Sequence, residues 1–145
     1  MSFPIERVDP AVTRPLRQRL LRPEQTLDEL IVPGEGDPRA GWFAAFDGDV
    51  VVGTAGVFPE DRPGAPGGGW RLRAMAAFRQ GEGTGSTLLA ACVQHAVAGG
   101  GSYMWCSARV PAQGFYARHG FVTVTDVYEP YGLGPHVDMV RDPIT

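Results

Sequence analysis

The sequence predicts an α/β domain built on a mixed β-sheet. Three observations carry that prediction. Element signals follow the order strand, helix, three strands, helix, strand, helix, two strands. Asp47-Gly48 stands between two apolar runs, the strongest short-range hairpin signal, so those strands are antiparallel. A glycine-rich stretch, residues 80–86, closes one strand and opens a helix that leads to a further apolar strand, which calls for a parallel crossover.

The elements follow from local chemistry. Residues 3–8 alternate enough for a short first strand. Asp9-Pro10 starts a helix, with Asp as cap and Pro at the first helical position, and Val12, Leu16 and Leu20 give residues 10–21 an apolar stripe. Arg14, Arg17, Arg19 and Arg22 lie on or beside its other faces. A solvated face is the plain reading, and Arg17 or Arg22 bordering a substrate pocket is the sharper one. Arg22-Pro23 ends the helix, and residues 26–30 suit a single turn. Residues 41–46 and 49–58 form the hairpin. Val50, Val51, Val52 and Val57 favour its second strand, and Gly53 and Gly56 mark a bulge or a close approach. Residues 59–69, rich in Pro and Gly, read as a mobile loop.

Residues 70–78 make the next strand. Alternation puts Trp70, Leu72, Ala74, Ala76 and Phe78 on one face and Arg71, Arg73, Met75 and Ala77 on the other. After the glycines, Leu89, Cys92, Val93, Ala96 and Val97 fall three and four apart, a helical stripe that ends at Gly99-Gly100-Gly101. Residues 102–108 are short and apolar, as in a buried parallel strand. Pro111 begins a short helix that Gly120 closes, and residues 120–128 and 136–140 read as two final strands.

At 145 residues the chain is expected to form a single domain, residues 1–145, with a core that needs no staples. Its net charge of −3, without a basic block, argues against a partner held by phosphate neutralisation, so no nucleic acid is expected. No apolar run is long enough to span a membrane, and no leader segment is evident. Two cysteines without metal spacing read as free thiols of a cytoplasmic protein. His95, His119 and His136 form no local ligand pair, so no metal is expected.

The glycine stretch carries the chemistry. Gly81, Gly83 and Gly85 clear side chains from a backbone that must approach something closely. The amides that follow belong to the first turn of a helix and lack internal partners, so they and the helix dipole suit a phosphate or pyrophosphate. Ser86 stands where a P-loop needs Lys, and the glycine spacing does not fit the dinucleotide fingerprint.

Gln80, Gly83 and Gly85 do match the Gln/Arg-x-x-Gly-x-Gly/Ala pattern of the GNAT acetyltransferases, with Gln80 where Arg is common. Leu72-Arg73-Ala74-Met75-Ala76 resembles that family's central strand, and Leu88-Leu89 its paired leucines. Trp105-Cys106-Ser107-Ala108-Arg109, followed by Phe115-Tyr116 and Gly120-Phe121, resembles its second signature. The likeness runs from about Gly41 to Met139. It implies the GNAT fold, a central mixed sheet of about six or seven strands flanked by about four helices, and acetyl-coenzyme A as co-substrate.

The resemblance also implies a site. Gln80, Gly81, Glu82 and Gly83, with Thr84, Gly85 and Ser86, would hold the cofactor's diphosphate. Main-chain groups of Met75, Ala76 and Ala77 would hold its pantetheine arm, and Ser107 would reach it from the next strand. Tyr116 would donate a proton to the departing thiolate, since a phenol is neutral at pH 7. No carboxylate lies in residues 70–78, so the base is open among Glu60, Asp61, His136, Asp138 and a water chain; His136 is preferred because histidine titrates near neutrality. The expected function is acetyl transfer to a primary amine of a small molecule, by direct attack in a ternary complex. The rival is a non-catalytic acyl-coenzyme A-binding module, which the missing carboxylate favours and Tyr116 disfavours. Arg17, Arg71, Arg73 and the 59–69 loop are candidates to line the acceptor site. A homodimer is common in such families, and no surface pattern in the sequence adds to that.

Overall fold

A computed structural model describes residues 3–78 and 83–145. Seven strands form one sheet in the order β1-β2-β3-β4-β5-β7-β6. The strands are β1 (Ile5–Arg7), β2 (Gly41–Asp47), β3 (Val50–Pro59), β4 (Gly69–Ala77), β5 (Tyr103–Arg109), β6 (Val122–Thr123) and β7 (His136–Arg141). The helices are α1 (Pro10–Leu21), α2 (Thr84–Ala98) and α3 (Gln113–Arg118), with short 3-10 turns at Asp28–Leu30, Val110–Ala112 and Pro130–Gly132. The expected mixed sheet is present. It is antiparallel throughout except for β4 and β5, which run parallel across α2.

Caps and turns form where the sequence directs them. The Asp9 carboxylate accepts the Ala11 amide at the start of α1. Gly48 turns the β2–β3 hairpin with φ +61°.

The sheet separates two apolar layers. On one face Leu88, Leu89, Cys92 and Ala96 of α2 pack against Val57, Trp70 and Leu72. Burying Leu88 and Leu89 contributes roughly 1.5–3 kcal/mol each. On the other face α1 covers Trp42 and Phe58, with the Arg17 guanidinium stacked 5.0 Å from the Trp42 ring. The inward stripe of α1 is Thr13, Leu16 and Arg17 rather than Val12, Leu16 and Leu20; Val12 is 40% exposed. Arg17 turns inward because the Leu30 carbonyl accepts from its Nη2 at 2.6 Å.

Three further expectations change. Residues 120–128 yield only the two-residue β6, because β7 pairs with it only at Val122 and Thr123. The 59–69 loop is tied down: Asp61 accepts the amides of Gly67 and Gly69, and the Tyr103 hydroxyl donates to the Ala65 carbonyl. The alternation of β4 breaks at Ala74, the one residue other than glycine with positive φ (+57°) among those described. Ala74 and Met75 together oppose Ala55 of β3, a β-bulge. Beyond it Met75 packs with Trp70 and Leu72, while Ala74 lies in the Trp42 and Phe58 layer.

Candidate active site

The bulge lies where the sheet opens. β4 pairs with β5 only from Gly69↔Tyr103 to Arg71↔Trp105. Beyond Arg71 the two strands part, and β5 continues by pairing with β7 instead. The edge of β4 that faces β5 over residues 72–77 is therefore free of ladder bonds to β5 and can be read by an extended ligand as a strand is. The bulge is fixed from the β3 side, where the Thr54 hydroxyl donates to the Ala74 carbonyl at 2.8 Å.

A cavity of about 610 Å³ occupies this gap and reaches both faces of the sheet. Leu72, Met75, Cys106 and Tyr116 border it from the α2 side. Ser107, Arg109 and His136 border it from the α1 side, together with Arg71 and Arg73. The registers Ser107↔Asp138 and Arg109↔His136 place those pairs on one face of β5 and β7.

Tyr116 stands on α3 with its ring edge-on to Phe115 and Phe121, at 5.1 and 5.5 Å between centroids. It is 6% exposed and lines the cavity. Burial, then the nearby Cys106 and Cys92, push its phenol far above the ordinary range, so it keeps its proton. Burial also pushes up both thiols, Cys106 to about 12, which leaves neither as a thiolate at neutral pH.

The base candidates are placed differently. Glu60 pairs with Arg71 at 2.9 Å, and Asp61 is engaged by loop amides. Asp138 accepts from the hydroxyls of Tyr128 and Ser107, the latter at 3.0 Å. Burial and the bond to Asp138 raise the Tyr128 phenol. His136, 5% exposed, has Nδ1 2.8 Å from the Gly134 carbonyl, which assigns the proton to Nδ1 and leaves Nε2 as an acceptor. Reciprocal backbone bonds with Tyr128 hold the preceding loop against it.

Gln80, Gly81 and Glu82 lie outside the described residues. Gly83 caps α2 in the left-handed conformation, φ +78°, without a side-chain cap, so the amides of Thr84, Gly85 and Ser86 carry the open donors of the helix start. A Cβ at Gly85 would come 3.2 Å from the Phe115 ring, which sets this end of α2 against α3 and hence beside Tyr116. An uncapped helix start and an unpaired strand edge, both on the Tyr116 side of the gap, fit a ligand with a diphosphate and an amide-bearing arm.

Of the expected acceptor-site residues, Arg17, Arg71 and Arg73 do line the cavity, whereas the 59–69 loop does not. Arg22 lines it as well. Arg118 of α3 is exposed and does not line this cavity. Arg109 and Tyr128 were missed; the one signal available was that Arg109 follows Ser107 at a spacing of two on one strand. Among the described residues, no three His, Cys, Asp or Glu side chains converge as a metal site, and no helix is long and apolar enough to cross a membrane.

Comparisons with known proteins agree with this geometry. The family model described as "Acetyltransferase (GNAT) family" matches residues 7–121. The uncharacterized N-acetyltransferase YitI of Bacillus subtilis (strain 168) is 28% identical over 135 residues, covering 89% of each chain. Escherichia coli ElaA superposes with a TM-score of 0.79 at 18% identity, over 97% of this chain and 99% of that one. An aminoglycoside 6'-N-acetyltransferase complexed with coenzyme A gives a TM-score of 0.74 at 19% identity, over 98% and 97%. The chain therefore belongs to the GNAT acetyltransferase family, as an N-acetyltransferase that uses acetyl-coenzyme A.

Proposed function

We propose that the protein transfers the acetyl group of acetyl-coenzyme A to a primary amine of a small molecule, by direct attack in a ternary complex. The observation that carries this reading is the parting of β4 and β5 beyond Arg71↔Trp105, with Tyr116 on one side of the gap and His136 on the other. The co-substrate supplies an acetyl thioester and a thiolate leaving group. The open amides of Thr84, Gly85 and Ser86, continuing from Gln80, Gly81 and Glu82, receive its diphosphate. The free edge of β4 at Met75, Ala76 and Ala77 receives its pantetheine arm, and Ser107 borders the same gap. One of the amides of this edge that face the gap polarises the thioester carbonyl.

His136 Nε2 accepts the amine's proton, and Tyr116 gives its own to the departing sulfur. Burial keeps Tyr116 protonated, and the Gly134 carbonyl sets the tautomer in which Nε2 of a neutral His136 ring is the acceptor. Direct attack is favoured because the buried, protonated thiols of Cys92 and Cys106 are unsuited to carry an acyl group. A cytosolic setting belongs to the same reading and rests on those two free, buried cysteines.

Thiol release from acetyl-coenzyme A, followed across a panel of primary amines, tests the proposal. Amine-dependent release with one acetylated product per thiol is expected. Release without amine, or none with any amine despite coenzyme A binding, would overturn it.

A further inference from the structure

The cavity gathers positive charge in a chain that is acidic overall. The sequence has no lysine, and five of its 13 arginines, Arg17, Arg22, Arg71, Arg73 and Arg109, line this one space. Their partners differ. Arg71 is neutralised by Glu60 at 2.9 Å. Arg17, Arg22 and Arg109 donate to the backbone carbonyls of Leu30, Leu21 and Leu21 at 2.6, 3.0 and 2.9 Å, which orients them without cancelling charge. Arg73 has neither a carboxylate within 4.0 Å nor a hydrogen-bond partner among the described residues. A guanidinium carries five donors in a planar fork, so Arg73 keeps its whole capacity for a ligand.

The neighbourhood makes this costly without an anion. Burial lowers the affinity of Arg73 for its proton. Arg71 lowers it further, Glu60 opposes, and Arg17 and Arg22 add to the lowering. The acids that approach are already engaged: Glu29, on the cavity wall, accepts the Thr26 amide; Glu35 pairs with Arg14; Asp138 takes the Ser107 and Tyr128 hydroxyls. The arginines also lie on the α1 face of the sheet. The start of α2, where a diphosphate is expected, lies on the other face with Phe115 and Tyr116. The anion they await is therefore a second one.

We propose that the acceptor is a compact amine bearing a carboxylate or phosphate, and that Arg73, flanked by Arg17 and Arg22, receives that anionic group. The inference rests on the acetyl-transfer reading for the amine end only. Arg73 and Ala76 oppose Gly56 and Thr54, two residues apart on β3, so the bulge keeps them within about 7 Å at ~3.3 Å per residue, and anion and amine are separated by only a few bonds. Carbon chains with the charge and amine at opposite ends of a long molecule do not fit.

Two readouts on the full chain test this. The first is turnover on matched pairs: β-alanine against β-alaninamide, and O-phosphoethanolamine against ethanolamine. A preference of about tenfold or more in kcat/KM for one charged member is expected, the member identifying carboxylate or phosphate, and Arg73→Gln removes it while Arg73→Lys keeps part. The second needs no turnover: the rise in Tm of the coenzyme A-saturated protein with N-acetyl-β-alanine or N-acetylphosphoethanolamine, against N-acetyl-β-alaninamide. The charged compound matching the turnover preference is expected to raise Tm, and Arg73→Gln to abolish the rise. Acetylation of neutral and charged amines alike, with no difference in Tm, would overturn the anion site and leave acetyl transfer standing. A selective Tm rise without turnover of any amine would keep the anion site and remove the acetyl-transfer reading.

Discussion

The Thr54 hydroxyl donates to the Ala74 carbonyl at 2.8 Å, across the bulge that opens the sheet. Thr54 is fully buried, and Ala74 holds a backbone conformation that costs a non-glycine residue roughly 1–2 kcal/mol. One hydroxyl thus helps to hold a strained turn of chain beside the reacting groups.

Thr54→Val keeps the shape and removes the donor. The part-buried Ala74 carbonyl loses its partner, at a cost of about 0.5–1.5 kcal/mol in urea denaturation. The KM for acetyl-coenzyme A rises with it, because the bulge sets the edge that the pantetheine arm would read. Thr54→Ser retains the hydroxyl and is expected to recover most of both losses; an unchanged KM in Thr54→Val would separate the bulge from cofactor binding.

Tyr116→Phe removes the proposed acid and little volume. A fall of roughly a hundredfold in kcat is expected, with the KM for acetyl-coenzyme A nearly constant. Burial raises the phenol's folded pKa, so its acidic form persists above the ordinary tyrosine range. The wild-type kcat profile therefore shows no decline near pH 10 from this group. A decline there that Tyr116→Phe abolishes would contradict the assignment.

Gly56 sits under an aromatic ring. A Cβ at this position would come 2.5 Å from Trp42, the ring over which Arg17 is stacked. Gly56→Ala is expected to destabilise the protein by about 1–3 kcal/mol through overpacking. Equilibrium unfolding measures it, and a stability equal to wild type would show that the ring has room to move.

Asp61 makes a prediction about acid. Its carboxylate accepts the amides of Gly67 and Gly69, which holds its folded pKa below the ordinary value. The contribution is complete above the unfolded pKa of about 3.9 and fades as pH falls through the lower folded value. The Tm gap between wild type and Asp61→Asn should be constant at neutral pH and close below pH ~4. A gap that widened in acid would contradict this.

Local chemistry made most of the fold legible. Asp9-Pro10 starts a helix and Asp47-Gly48 a hairpin whatever surrounds them, and both formed as expected. The errors share a physical cause: they depend on neighbours distant in sequence. Val122, Val124 and Val127 look like a strand, yet Val122 and Val127 are each 62% exposed, and beyond Thr123 the backbone bonds to β7 thin out to the Val124 amide on the Asp138 carbonyl and the Tyr128–His136 pair. The bulge at Ala74 is imposed by pairing with β3 and by Thr54, twenty positions away, and no rule on alanine predicts it. Tyr116 and Arg73 were legible as candidates, one by resemblance and one by strand position. Arg17 and Arg22 were legible as pocket candidates from their helix, whereas the convergence of Arg109 with them was not, since β5 meets α1 only in the folded chain.

Hydrogen exchange with and without coenzyme A tests the central claim most directly. If the parted edge of β4 and the start of α2 grip the cofactor, amides within residues 72–77 and those of Thr84 to Ser86 exchange more slowly in its presence. Binding of coenzyme A that leaves the exchange of both segments unchanged would contradict it.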